Sequence, residues 1–375
     1  MNKIQMVDLY NQYLQVKEEI DNAIFDVIKK SSFVKGQEIT KFENELAQYL
    51  QVKHVIACGN GTDGLQIALM ALDLQPGDEI ITSTFTFIAT AEVIALLRLK
   101  PVLVDIDPNT FLIDTNKIEK LINSRTKAII PVHLFGQSCK MEEILYLAQK
   151  YSLFVIEDAA QSLGTEYYFS DGKKQKTGTI GHIGCTSFFP SKNLGCFGDG
   201  GAIFTNDDDL AYKIRAIANH GMIKKYHHEF IGVNSRLDSI QAAILSVKLK
   251  YLDEYHAKRQ KAAEYYDKEL KNISWIKIPT RASWSNHIFH QYSILVDENI
   301  RDSLKLYLEQ HEIPTMIYYP VPIHKQKAYL KYNFNDNEFP VANKICKSIL
   351  SLPMHTELAN EQLSYICNVI KRFKP

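Results

Sequence analysis

Between residues 54 and 205, short apolar runs alternate with segments of helical length, and this alternation restricts the chain more than any other feature. His54 to Cys58, Glu79 to Thr82, KPVLVDID, TKAIIPVHLFG, Leu153 to Ile156 and Gly201 to Thr205 read as strands. Helices are expected over 63–72, 89–97, 114–123, 141–151 and 207–218. A strand that returns to its sheet in the same direction needs a crossover, and a helix supplies it. The pattern therefore predicts an α/β fold, with a mostly parallel sheet covered on both faces. Such sheets collect ligands outside the carboxyl ends of their strands. Helices at 13–30 and 37–50 precede the alternation. A long helical stretch over about 237–271, with Asp238 as its candidate cap, leads out of it. The remainder mixes strands and helices, so a large domain at 1–250 and a smaller α+β domain at 251–375 are expected.

Charge and composition narrow the function. Lysine plus arginine and aspartate plus glutamate number 43 each, so no basic excess points to nucleic acid or an anionic membrane surface. No apolar run approaches the ~18 residues of a spanning helix. The start, MNKIQMVDLYNQY, lacks the apolar core of a signal peptide, and a cytoplasmic protein is expected. Cysteines 58, 139, 185, 196, 346 and 367 form no CxxC pair, which fits reduced thiols rather than a zinc cage or disulfide framework. His220, His227 and His228 lack helical spacing and an acidic partner, so no metal site is expected.

The candidate chemistry lies where strands end. Gly59-Asn60-Gly61-Thr62 joins a strand to a helix, an arrangement that offers free N–H groups to a phosphate or simply caps the helix. Phe85 and Phe87 follow another strand, as core or as a stacking face. Glu157 and Asp158 close a third strand and point to opposite faces, which leaves room for one to be structural; Asp158 is a candidate partner for a protonated ring nitrogen or a cap for the AAQSLG turn. Residues 165–185 read as a hairpin or polar loop. Lys192 sits between Thr186, Phe188 and Phe189 and the glycines 195, 198, 200 and 201. A desolvated amine there could attack a carbonyl and form a Schiff base. Tyr318 and Tyr319 occupy a Pro-rich loop suited to binding groups. Anion cradle, ring face, ring-nitrogen partner and amine together are what holds pyridoxal 5′-phosphate (PLP).

The motifs GNGTDGLQIAL (59–69), FTFIATAE (85–92), VIEDAAQSLG (155–164), SFFPSKNLGCFGDGGAI (187–203) and GVNSRLDSIQAAIL (232–245) resemble the DegT/DnrJ/StrS family of PLP-dependent nucleotide-sugar aminotransferases. The resemblance spans nearly the whole chain. It implies an aspartate aminotransferase-like, type I fold, with Lys192 as the Schiff-base residue and Asp158 on the pyridinium nitrogen. It further implies Phe87 on the ring, Gly61, Thr62 and Ser187 on the phosphate, and Gln161 near the ring's 3-hydroxyl. Asn234 would reach the cofactor phosphate of a neighbouring subunit, making a homodimer the catalytic unit, with Arg236 entering the neighbour's sugar site. Tyr319 is a further substrate contact, and Lys224 and Lys225 are candidates for a UDP diphosphate or a solvated pair. The resemblance implies amino transfer from L-glutamate, with the cofactor cycling through pyridoxamine 5′-phosphate. The keto-sugar is expected to be UDP-linked 3-keto-N-acetylglucosaminuronate, for lipopolysaccharide O-antigen. A dTDP-3-keto-6-deoxyhexose or a 4-keto-sugar is the alternative within the family, and a PLP-binding regulator the alternative outside catalysis. Relatives carry His-Tyr-Pro where this chain has Tyr318-Tyr319-Pro320, and residues 165–181 read as longer than in close relatives.

Overall fold

The computed structural model describes residues 3–375. Its seven-stranded sheet consists of β1 (His54–Cys58), β2 (Glu79–Ser83), β3 (Lys100–Val104), β4 (Thr126–Ile130), β5 (Phe154–Asp158), β6 (Ile183–Ser187) and β7 (Gly201–Thr205). They lie in the order β1-β7-β6-β5-β4-β2-β3. Only β7 runs against its neighbours, β1 and β6; the other adjacent pairs are parallel. The expected parallel sheet is thus present, with one reversed strand.

Side-chain alternation explains why both faces are covered. Ile80, Ile130 and Ile156 join the helices Gly61–Ala71, Ala89–Leu96 and Asp208–Ile217 in one core. Their neighbours Ile81, Ile129 and Val155 point the other way, into the core that includes Ile144 and Leu147 of the helix Met141–Tyr151. A third core packs Phe42, Leu46, Leu245 and Leu249 against Val55, Phe188 and Phe204. The smaller C-terminal α+β domain is built on an antiparallel sheet, Ile276–Lys277, Tyr292–Val296 and Ile349–Leu352. Leu270, Leu308 and Ile366 pack on it, as does Ile4 from the other end of the chain.

Several expected boundaries change. The helix expected over 114–123 is two short 3-10 turns, Thr115–Lys117 and Glu119–Leu121. Polar side chains take up the local N–H groups: Asp114 accepts from Asn116 N, and Thr126 Oγ1 accepts from Asn123 N at 3.0 Å. The segment 13–30 is divided at Val16 into Leu9–Gln15 and Lys17–Lys30. The stretch 237–271 divides into Ser239–Leu249, which packs in the large domain, and Leu252–Leu270, which packs in the small one. Asp238 occupies the cap position but its side chain makes no capping bond. The segment 165–185 contains the hairpin Glu166–Tyr168 with Lys174–Lys176.

The chain beyond this hairpin is fixed by Glu157. Its carboxylate accepts from the backbone N–H of Gly178 (2.8 Å), Ile180 (2.6 Å) and Gly181 (2.6 Å), and pairs with His133 Nε2 at 2.8 Å. His133 Nδ1 accepts from Cys139 N at 3.1 Å, so Nε2 carries the proton given to Glu157. Glu157 and His133 are both fully buried. Glu157→Ala is expected to lower stability by about 3–5 kcal/mol, because it strands several buried donors. The urea midpoint measures this, and a change below ~0.5 kcal/mol would refute the anchoring role.

Candidate active site

Four strand ends converge on the site. After β1, Asn60 caps the helix Gly61–Ala71 by accepting from Asp63 N at 2.8 Å. The helix therefore starts at Gly61, two residues earlier than expected. The N–H groups of Gly61 and Thr62 have no acceptor among the described residues, and the helix dipole favours an anion there. Ser187, at the end of β6, stands against this start: a Cβ on Gly61 would lie 2.7 Å from Ser187 Cβ. Glycine is thus required for the approach that brings Gly61 and Ser187 together.

Asp158 ends β5 and is 6% exposed. Its Oδ2 accepts from Thr90 Oγ1 at 2.7 Å and its Oδ1 from Ala160 N at 3.1 Å. The alternation at β5 separates two roles: Glu157 anchors the loop, and Asp158 faces the site. Phe85 is buried whereas Phe87 is 55% exposed, with its ring centroid 6.3 Å from that of Tyr319. Gln161 connects two further parts. Its Oε1 accepts from Phe135 N at 2.8 Å, and its Nε2 donates to Tyr319 Oη at 3.0 Å. Burial raises the pKa of Tyr319, so its hydroxyl stays protonated and able to donate.

Lys192 follows β6. The residue is half-buried, and loss of hydration lowers the pKa of its amine to about 8. Asp158 is near enough to act on that amine electrostatically, in the opposite direction. The structure therefore brings Gly61 against Ser187, Asp158 within electrostatic reach of both Lys192 and Tyr319, and Gln161 onto Tyr319.

Four expected residues stand apart from this group. Asn234 and Arg236 are exposed, and Arg236 forms no ion pair or side-chain hydrogen bond among the described residues, including with Asp238. Between them, Ser235 is buried; it accepts from Gly59 N at 2.9 Å and donates to Asp63 at 2.6 Å. The turn is thus fixed to the start of the helix Gly61–Ala71 while its flanking side chains are exposed. Lys224 and Lys225 are exposed on the hairpin Met222–Lys224 with His227–His228, and Lys225 lies 5.3 Å from the Tyr226 ring centroid. Among the described residues no group of three or more His, Cys, Asp or Glu side chains could hold a metal, and no helix is long and apolar enough to cross a membrane. The six cysteines are buried and unpaired.

Sequence reasoning missed Thr90, Asn193 and His290. Thr90 lies inside FTFIATAE, and its helical position after β2 was the available signal. His290 is about a hundred residues from Lys192 in sequence, and no local pattern links them.

A mostly parallel sheet with this arrangement at its carboxyl edge places the chain among aminotransferases of PLP fold type I. More narrowly, residues 14–371 match the DegT/DnrJ/EryC1/StrS aminotransferase family, and the chain belongs to it. It is 46% identical to UDP-2-acetamido-2-deoxy-3-oxo-D-glucuronate aminotransferase of Pseudomonas aeruginosa, over 97% of this chain and 98% of that protein. It is 45% identical to a pleiotropic regulatory protein of Geobacillus stearothermophilus, over 99% and 98%. The crystal structure of S. venezuelae DesV in complex with a ketimine intermediate superposes with a TM-score of 0.94 at 34% identity, covering 99% of this chain and 98% of that one.

The lowered pKa has a chemical consequence. Lys192 should be acylated by an amine-specific reagent with a midpoint near pH 8, while exposed lysines follow their ordinary pKa of ~10.4. Peptide mapping after labelling across pH would show this, and a Lys192 midpoint like that of the exposed lysines would refute it.

Proposed function

We propose that this chain transfers an amino group from L-glutamate to C3 of UDP-linked 3-keto-N-acetylglucosaminuronate, using PLP, in the cytoplasmic synthesis of a surface polysaccharide such as O-antigen. The observation that carries the reading is the desolvated Lys192 amine opposite Asp158, beside the acceptor-free N–H groups of Gly61 and Thr62. The residues fit the cofactor. Gly61, Thr62 and Ser187 would hold its phosphate, and Phe87 would cover its ring. Asp158 would face the ring nitrogen, Gln161 would lie near the 3-hydroxyl, and Lys192 would engage the aldehyde. When bound, PLP supplies an electron sink for the charge left when the donor loses its Cα proton.

Each residue then has a defined task. Lys192, with a pKa near neutrality, takes the Cα proton from L-glutamate in the first half-reaction and delivers one to C3 of the sugar in the second. Asp158 is oriented by Thr90 and Ala160 N, and its carboxylate would keep a proton on the ring nitrogen of the bound cofactor. Tyr319, fixed by Gln161, would offer its hydroxyl to the sugar.

The active unit in this reading is a homodimer. The side chains of Asn234 and Arg236 form no hydrogen bond or ion pair among the described residues, yet they are displayed from a turn that Ser235 bonds to Gly59 and Asp63. We assign Asn234 to the phosphate of the neighbouring subunit's cofactor. Arg236 takes the uronate carboxylate, because a guanidinium matches a carboxylate in a two-point fork. Lys224 and Lys225 on the same outer surface would meet the diphosphate. The Pseudomonas relative favours a C3 keto-uronate over a 6-deoxy or 4-keto sugar. The Geobacillus relative keeps a regulatory role in view; the Lys192 amine with Asp158 acting on it, and no acceptor of its own among the described residues, supports catalysis, whereas Lys248, whose pKa is lowered equally, is bonded to Gly195 O.

Lys192→Ala should lose all turnover with L-glutamate while keeping its fold by circular dichroism; turnover at the wild-type rate would end the reading. Arg236→Ala should raise KM for uronate substrates about tenfold to a hundredfold and leave 6-deoxy analogues little changed, in a panel of nucleotide keto-sugars. Equal losses on both substrate types would remove Arg236 from carboxylate recognition.

A further inference from the structure

Lys192 is tied to the small domain through the residue that follows it. Asn193 is buried, and its Nδ2 donates to Ile288 O at 3.4 Å. Its Oδ1 lies 3.3 Å from Nδ1 of His290, which is also buried. An amide oxygen only accepts, so His290 Nδ1 carries the proton and Nε2 keeps its lone pair. The ring is neutral: burial, then the Lys192 amine and the Arg259 guanidinium, hold its pKa well below the ordinary histidine value.

The segment bearing His290 has little freedom. Ile288 N donates to Gly136 O and His290 N to Phe135 O, both at 2.9 Å. Gly136 has φ +99°, and a Cβ there would lie 3.0 Å from His290 N, so the two strands of chain touch only because residue 136 is glycine. From the other side, Arg259 donates to Phe289 O at 3.2 Å and His290 O at 3.4 Å, and Gln260 Nε2 donates to His287 O at 3.1 Å. The next N–H along the loop, that of Phe135, is the one held by Gln161. His290 is therefore fixed from two directions, and Asn193 is fixed to it.

We propose that His290 is a positioning residue for Lys192: through Asn193 it fixes the backbone from which the lysine side chain rises, keeping the amine aimed toward Asp158 and away from water. The groups that bear on this arrangement are Asp158 on the amine, and Lys192 and Arg259 on His290. The proposal rests on the Schiff-base role of Lys192 given above, and its test separates the two.

The test uses apoprotein mixed with PLP, with the rate of imine absorbance followed across pH. Wild type should show a midpoint near pH 8, where the amine becomes free. His290→Ala loosens Asn193 and admits water, and should move the midpoint up by about one pH unit. His290→Asn places an amide N–H where Nδ1 stood, and should keep the wild-type midpoint. Asn193→Ala breaks the link from the other end and should shift the midpoint in the same direction, which keeps the test open if His290→Ala does not fold. A lowered Tm with an unmoved midpoint in His290→Ala or Asn193→Ala would show a purely structural role and overturn the proposal. Wild-type protein that forms no imine would remove the parent reading, and the proposal with it.

Discussion

An amine kept out of water is the constraint on which the site depends. Moving the Lys192 pKa from 10.5 to about 8 corresponds to roughly 3 kcal/mol of preference for the neutral form. The sign is unfavourable to folding. Below pH 8 the charged amine costs the native state that full amount, and the cost fades as pH rises toward the unfolded value of 10.5. Asp158 relieves part of it by attraction. The remainder is borne by the close-packed cores on the two faces of the sheet. A reactive group of this kind needs a scaffold with stability to spare, which suits a chain of 375 residues better than a small domain.

Strand β5 shows how one element serves stability and chemistry at once. Consecutive residues on a strand face opposite ways, so Glu157 and Asp158 enter different environments although they are neighbours. Glu157 gathers three backbone N–H groups and a histidine, and so fixes the connection that leads from the hairpin into β6. Strand β6 in turn carries the chain to Ser187 and Lys192. Asp158 takes one hydroxyl and one N–H, which set the carboxylate's orientation. Exchanging the two environments would require a register slip of one residue, which would also turn Val155 and Ile156 out of their separate cores.

The fold was legible where one physical signal dominated. Apolar runs at the spacing of β/α units yielded six of the seven strands of the large sheet, while β6 began in the segment expected to be a hairpin or polar loop, and the glycines around Lys192 marked its loop. Segments where side chains compete with the backbone were misread: Asp114 and Thr126 break the region 114–123 into tight turns. The helix 237–271 was misread for a different reason. Its pattern is continuous, but its halves answer to different cores, and the junction near Tyr251 is set by where the two domains sit. Within the site, residues beside strand ends could be named from the sequence, whereas Thr90 on Asp158 and His290 on Asn193 are contacts made by folding over distances of 68 and 97 residues. No periodicity carries such information.

The turn at 234–236 bears on what completes the site. A rigid turn has already paid most of the entropy of ordering its backbone, so side chains on it bind a partner with less further loss. Ser235 supplies the rigidity by bonding to Gly59 and Asp63, the same stretch of chain that presents the free N–H groups of Gly61 and Thr62. Arg236 has no anion of its own and lines a 410 Å³ cavity beside Lys35 and Asn219. Because the turn and the helix Gly61–Ala71 are bonded to each other, a molecule that displaced one would move the other.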